Sequence, residues 1–231
     1  MPSTDVLPAE TMDRQAPRLQ RLKLHKVQLP PAQQADYRQP EGKQFSQQTS
    51  LLEFELSADL AAAIGTVCHQ CMQIMGEQGI AGEPLAEAAI RSLLLEAGVL
   101  SSSLGLAVVR VQHILRCCLK DKRGRWVLNN THQDSQFELA ISGCINGEIV
   151  HARLDRSFVD QGQRWIIDYK TSQFEGGDIE LFLDQEMLSY KTQLERYARL
   201  MSGIDKRPIM LGLYYPEYAA WRSWEYTGYA D

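Results

Sequence analysis

The stretch His151-Ala-Arg-Leu-Asp155-Arg-Ser-Phe-Val-Asp160-Gln-Gly162-Gln-Arg-Trp165-Ile-Ile-Asp168-Tyr-Lys170-Thr171 decides how this chain folds. Two β-favouring runs flank Asp160-Gln-Gly162-Gln163, and Gly162 supplies the positive φ that a tight hairpin needs. A two-residue loop at 161–162 and a four-residue loop at 160–163 both pair residues whose numbers sum to 323. Under that register Asp155 lies opposite Asp168. Directly opposed side chains have Cβ atoms roughly 4.5–5.5 Å apart, and like charges there repel. Two carboxylates held so close point to a cation between them.

Upstream, Asn146-Gly147 is the strongest short hairpin signal in the chain and pairs residues summing to 293, which sets Glu138 opposite Asp155. Glu138, Asp155 and Asp168 then form one row across a three-stranded meander. The reverse face reads Phe137, Leu139, Ile141, Leu154, Phe158, Trp165, Ile167 and Tyr169, with Arg156 the odd member. This predicts an apolar underside on helices and an acidic row on top. A three-residue loop at 161–163 would slip the register and break the row. Asp168 and Lys170 share a face, with Tyr169 on the other.

Helical periodicity starts at Ser57, with Leu60, Ile64, Val67, Cys71 and Ile74 at three- and four-residue steps and Ser57 or Asp59 as cap. Further helices are expected over Glu83 to Ala97, Ser103 to Lys120, and Asp178 to Met201 with a break near Ser189. Strands are expected from about 135 to 171, then near Pro208–Tyr215 and Ala219–Tyr226. That order gives an α/β fold, a mixed sheet with an antiparallel meander flanked by helices. Residues 1–50, rich in Gln and Pro, read as a polar tail or linker before a domain at 51–231. Arg14, Arg18, Arg21, Lys23 and Lys26 make the tail partly basic, as a solvated linker or a DNA-contacting arm.

With 231 residues, 44% hydrophobic and 23% charged, the composition is that of a globular protein. There is no apolar run of membrane-span length and no signal-like N-terminus, so a cytoplasmic protein is expected. Five cysteines fit free thiols. The net charge of −5 argues weakly against a dedicated nucleic-acid binder, although bound cations reverse the field of acidic ligands.

Carboxylates with an adjacent lysine are the parts that phosphodiester hydrolysis needs, and oxygen-rich sites select Mg²⁺ or Mn²⁺ over zinc. His69, within Gly65-Thr66-Val67-Cys68-His69 and off the apolar stripe, is a candidate ligand or a surface histidine. Gly65, one turn back, permits close approach to a sheet or ligand. Cys68-His-Gln-Cys71 is half a metal motif with no second half. His151 shares the Asp155 face but lies roughly 13 Å along the strand, too far for shared coordination. Lys120, Lys122, Arg123 and Arg125 with Trp126 read either as a backbone-tracking segment or as a solvated helix-to-strand loop.

Gly65-Thr66-x-x-His69, Glu138, Asp155, Asp168-Tyr169-Lys170-Thr171 and Gln193-x-x-x-Tyr197, in this order, resemble the RecB/AddA-type nuclease domain of the PD-(D/E)XK superfamily, over roughly residues 58 to 215. The proline that often precedes the first aspartate is replaced by Leu154. The resemblance implies a restriction-endonuclease-like fold and a Mg²⁺-dependent DNA nuclease, Mn²⁺ substituting, that acts as an exonuclease in a helicase–nuclease for DNA end processing, recombination and repair. Its partners would be single-stranded DNA or a duplex end and a helicase, in the same chain or a partner subunit. Asp155, Asp168, His69 and the carbonyl of Tyr169 would hold the metal. Lys170 would orient the attacking water, and Glu138 would be an outer ligand or water-positioning group. Gln193 and Tyr197 would hold the DNA strand or the surroundings of the lysine. Some relatives carry an iron–sulfur cluster with late cysteines; with none beyond Cys144, no cluster is expected. Rival readings are a stand-alone nuclease for RNA or structured DNA, and a non-catalytic module that binds DNA or a helicase.

Overall fold

The computed structural model describes residues 45–79, 85–174 and 176–228, with side chains from Ala58 onward. The basic residues of the tail, and Glu83 where the second helix was expected to start, lie outside the described residues. The elements are α1 (Phe45–Gln78), α2 (Glu87–Glu96), α3 (Ser101–Lys120), α4 (Lys122–Leu128), β1 (Gln133–Ile145), β2 (Glu148–Asp160), β3 (Gln163–Tyr169), α5 (Ile179–Ser202), β4 (Ile209–Tyr215), a 3₁₀ turn (Pro216–Tyr218) and β5 (Ala220–Glu225). The five strands lie in sequence order; β3 and β4 are parallel and every other neighbouring pair is antiparallel. The parallel pair needs a crossover, and α5 supplies it. This is the mixed α/β sheet flanked by helices that the sequence predicts.

Both hairpin registers follow the turn arithmetic. Asp160 pairs with Gln163 and Arg156 with Ile167; Ile145 pairs with Glu148 and Phe137 with Arg156. Each turn has two residues at positive φ, Asn146 and Gly147 (53° and 83°) and Gln161 and Gly162 (49° and 79°). That is the loop whose twist matches the flanking strands.

The single apolar underside is not what forms. Helices cover both faces, and β4, Ile-Met-Leu-Gly-Leu-Tyr-Tyr, accordingly reads as an almost unbroken apolar run. Phe158, Ile167, Tyr169 and Tyr214 pack with α1–α4, and Phe137 and Trp165 against them. Leu154, Ile166, Leu211 and Leu213 pack with Leu183, Leu194, Ala198 and Met201 of α5, and Leu139 and Ile141 join this second cluster. The expected face therefore splits between residues 137 and 139 and between 154 and 158. Glu138, at φ 49°, sits at the split. A left-handed residue turns the strand, so side chains on its two sides no longer share a face.

Arg156 is fully buried, with its guanidinium 4.0 and 4.6 Å from the Phe137 and Phe158 ring centres. It donates to the carbonyls of Val127 and Asn129, both at 2.7 Å, and of Gln136 at 2.9 Å. The first two are end-of-helix acceptors with no partner inside α4. Burial pushes Arg156 down to about 10.

Other boundaries differ from expectation. Helix α1 starts at Phe45, leaving Ser57 and Asp59 inside it; no Gly or Pro interrupts 45–59. Helix α2 begins at Glu87. Helix α3 begins two residues early, at Ser101. The presumed loop after Lys120 is the helix α4, capped by Asp121, whose carboxylate accepts from the N–H groups of Arg123 and Gly124. Helix α5 is unbroken, and Ser189 within it turns its hydroxyl back to the Gln185 carbonyl at 3.0 Å.

Candidate metal and catalytic centre

Helix α1 reaches the sheet closely at Gly65. A Cβ there would stand 2.9 Å from Thr171 Oγ1, just beyond β3. That contact brings the next turn, with His69, over the Asp155 row. His69 Nδ1 lies 3.3 Å from Asp155 Oδ2, and its ring packs edge-on to Tyr169 at 5.5 Å. Ligand atoms of His69, Glu138 and Asp155 all lie within 4.8 Å of one another. The three partly line a cleft of about 570 Å³ with Gly65, Thr66, Gln70, Gln73 and Arg153.

The ladder opens at this row. Asp155 does not bridge to Asp168; its Oδ2 accepts the N–H of Tyr169 at 2.8 Å. Glu138 holds its carboxylate 3.1 Å from Arg153 Nε on β2. A non-glycine residue in the left-handed region costs about 1–3 kcal/mol and persists only where its surroundings enforce it.

Asp168 stands beside the trio rather than within it. It is 8% exposed, and its Oδ2 lies 2.7 Å from Lys170 Nζ. Lys170 is also 3.2 Å from the centre of the Tyr190 ring on α5. Further along α5, Gln193 Nε2 donates to Tyr197 Oη at 2.6 Å.

Burial and the neighbouring Asp155 charge push Asp168 upward. Burial, then Asp155, does the same to Glu138, against the pull of Arg153 and His69. Burial would lower His69, but its hydrogen bond to Asp155 and the charges of Asp155, Asp168 and Glu138 raise it. Negative charge from neighbouring carboxylates contributes to all three shifts, beside burial for the two carboxyl groups, and a divalent cation would relieve that part of each. The donors, carboxylate oxygens with one imidazole, suit Mg²⁺ or Mn²⁺.

The other motif residues have structural occupations. Cys68 and Cys71 are buried in the core, and burial pushes both thiols up. His151 Nδ1 meets Ser142 Oγ at 2.7 Å, its cross-strand neighbour. Arg125 donates to the carbonyls of Leu119 and Lys120, Arg123 lies over Trp221, and Trp126 Nε1 donates to Asp160. Sequence reasoning missed Arg153 and Tyr190. Arg153 is two residues before Asp155, and Tyr190 is three before Gln193 on the same helix; both spacings carried the signal.

Residues 43–217 match the family described as the PD-(D/E)XK nuclease superfamily. No curated protein matches the chain. Among solved structures, the crystal structure of SSO0001 is 15% identical, with 76% of each chain covered and a TM-score of 0.28. Among the described residues no helix is long and apolar enough to cross a membrane.

Proposed function

The chain belongs to the PD-(D/E)XK nuclease superfamily, and from that premise we propose a RecB/AddA-type DNA exonuclease that uses Mg²⁺ and leaves a 5′-phosphate. The carrying observation is the gathering of His69, Glu138 and Asp155 within 4.8 Å, beside an Asp168–Lys170 pair. In this reading the domain is residues 51–231, with α1 entering it from Phe45 and residues 1–50 as a polar linker. It works in the cytoplasm beside a helicase, on DNA ends in recombination and repair.

Asp155, Asp168, His69 and the Tyr169 carbonyl would hold the cation, which when bound neutralises phosphate charge and lowers the pKa of an attacking water. Lys170 orients that water and donates to charge developing on the phosphate oxygens. Glu138 positions the water or supports the ligands from outside. Gln193 and Tyr197, joined by their hydrogen bond, offer polar contacts to the DNA strand.

End-labelled single- and double-stranded DNA, with Mg²⁺ or Mn²⁺, tests this reading. Metal-dependent product is expected from the wild-type protein and none from Asp168→Ala or Lys170→Ala, with the fold of both retained by circular dichroism. Undiminished degradation by both variants would remove the assignment of these residues. DNA retention by the wild-type protein without metal-dependent product would favour a non-catalytic binding module.

A further inference from the structure

Lys170 is held from two sides. Its ammonium lies 2.7 Å from Asp168 Oδ2 and 3.2 Å from the centre of the Tyr190 ring. An ammonium carries three donors on a flexible four-carbon stem. A carboxylate fixes the direction of one N–H and leaves the stem free to swing about it. The ring face, with its negative quadrupole, supplies a second attachment.

Both attachments rest on rigid supports. Tyr190 is half-buried on α5 and packs against the second core cluster. Glu186, one turn before it, accepts from Ser172 Oγ at 3.0 Å. Tyr218 Oη accepts the N–H of Phe174 at 2.8 Å and donates to the Ser172 carbonyl at 3.3 Å. The segment that leaves β3 is therefore docked on α5 and on the 3₁₀ turn at once. Glu186, Tyr190, Gln193 and Tyr197 follow at steps of four, three and four, which is one helix face. The backbone of Lys170 and the ring that meets its ammonium share one frame.

We propose that Tyr190 is a positioning residue for cleavage, its ring fixing the ammonium of Lys170 against Asp168 so that the remaining donor faces the cleft. This rests on the catalytic role proposed for Lys170. The ring face carries the task and the hydroxyl does not.

The test is steady-state cleavage of a labelled oligonucleotide by the full chain with Mn²⁺. Tyr190→Phe is expected to stay within about twofold of wild type, and Tyr190→Leu to lower kcat about tenfold with KM unchanged. Phenylalanine carrying one, two and three ring fluorines at position 190 weakens the quadrupole at nearly constant shape. It is expected to lower kcat stepwise while the thermal midpoint stays put. Unchanged kcat in Tyr190→Leu, equal losses in the Leu and Phe variants, or a flat fluorine series would each overturn the proposal. Should Tyr190→Leu fail to fold, the fluorine series decides alone. Lys170→Ala separates the two levels: full activity there overturns the role of the lysine as well, whereas an inactive Lys170→Ala with a flat fluorine series overturns only that of Tyr190.

Discussion

Two charged clusters lie along β3 and are built on opposite plans. Near its start, Arg164 Nε lies 2.7 Å from Asp205 Oδ2 and its NH2 3.2 Å from Asp134 Oδ2. Arg207 NH1 reaches the same two carboxylates, each at 3.1 Å. Near its end, roughly 13 Å along the strand, Glu138, Asp155 and Asp168 crowd one histidine and one lysine, with Arg153 on the outer side of Glu138. Burial would raise Asp205, but the N–H of Arg207 and the guanidinium of Arg164 hold it below the usual carboxylate range. Asp168 and Glu138 are held above it. The first cluster closes its own charges and ties the β3–β4 layer to the β1 edge. The second leaves its carboxylates facing one another.

Neutralising one member of the open cluster breaks the contrast most sharply. Asp155→Asn keeps an oxygen for the Tyr169 N–H but removes a charge. Metal-dependent cleavage should fall about 10³-fold, near 4 kcal/mol in barrier, while the thermal midpoint of the metal-free protein holds or rises. A lower midpoint with intact cleavage would show that Asp155 serves the fold instead.

The closed cluster should respond in the reverse sense. Arg164→Met leaves Asp205, whose side chain is 10% exposed, short of its best partner. About 3 kcal/mol of stability should go, the low end for breaking a buried pair, because Asp134 is half exposed and solvated. Urea unfolding measures this, and kcat per folded molecule should not change.

Acid titration sharpens the comparison with the smallest effect. Because Asp205 is lowered on folding, its contribution is full above the unfolded carboxylate value, about 3.9. It is lost as pH falls through the still lower folded value. Asp168 and Glu138, raised on folding, act the other way: the metal-free fold gains stability as pH drops through their folded values toward the unfolded ones. The thermal midpoint should therefore rise on mild acidification and then fall below about pH 4. In Asp168→Asn the rise should shrink and the fall remain; an unchanged rise would place its origin elsewhere.

The turns explain why so much of this was legible. Asn146-Gly147 and Gln161-Gly162 fix two registers locally, and registers carry Glu138 and Asp155 to one row without any knowledge of the core. His69 could be nominated because Gly65 sits one turn before it. What stayed hidden depends on partners distant in sequence. The left-handed Glu138, and the change of face it imposes, answer to helices on both sides of the sheet. Arg156 looks like an error in an apolar run until the carbonyls of Val127 and Asn129 appear beside it. Tyr190 meets Lys170 only after the crossover is built. Helix α4 was hidden by its own charges: Arg125 serves the carbonyls at the end of α3, and Arg123 covers Trp221 of β5.

The N–H of Tyr169 has an unusual dependence. In an intact ladder that amide would be protected by a backbone oxygen, but here its acceptor is the side chain of Asp155. Its nitrogen-15 resonance and its solvent exchange therefore register what one carboxylate is doing. Under the ligand role proposed for Asp155, an arriving ion would draw that oxygen away and weaken the amide's bond, so that one backbone signal would serve as a native gauge of occupancy that needs no substrate and no label at the centre itself.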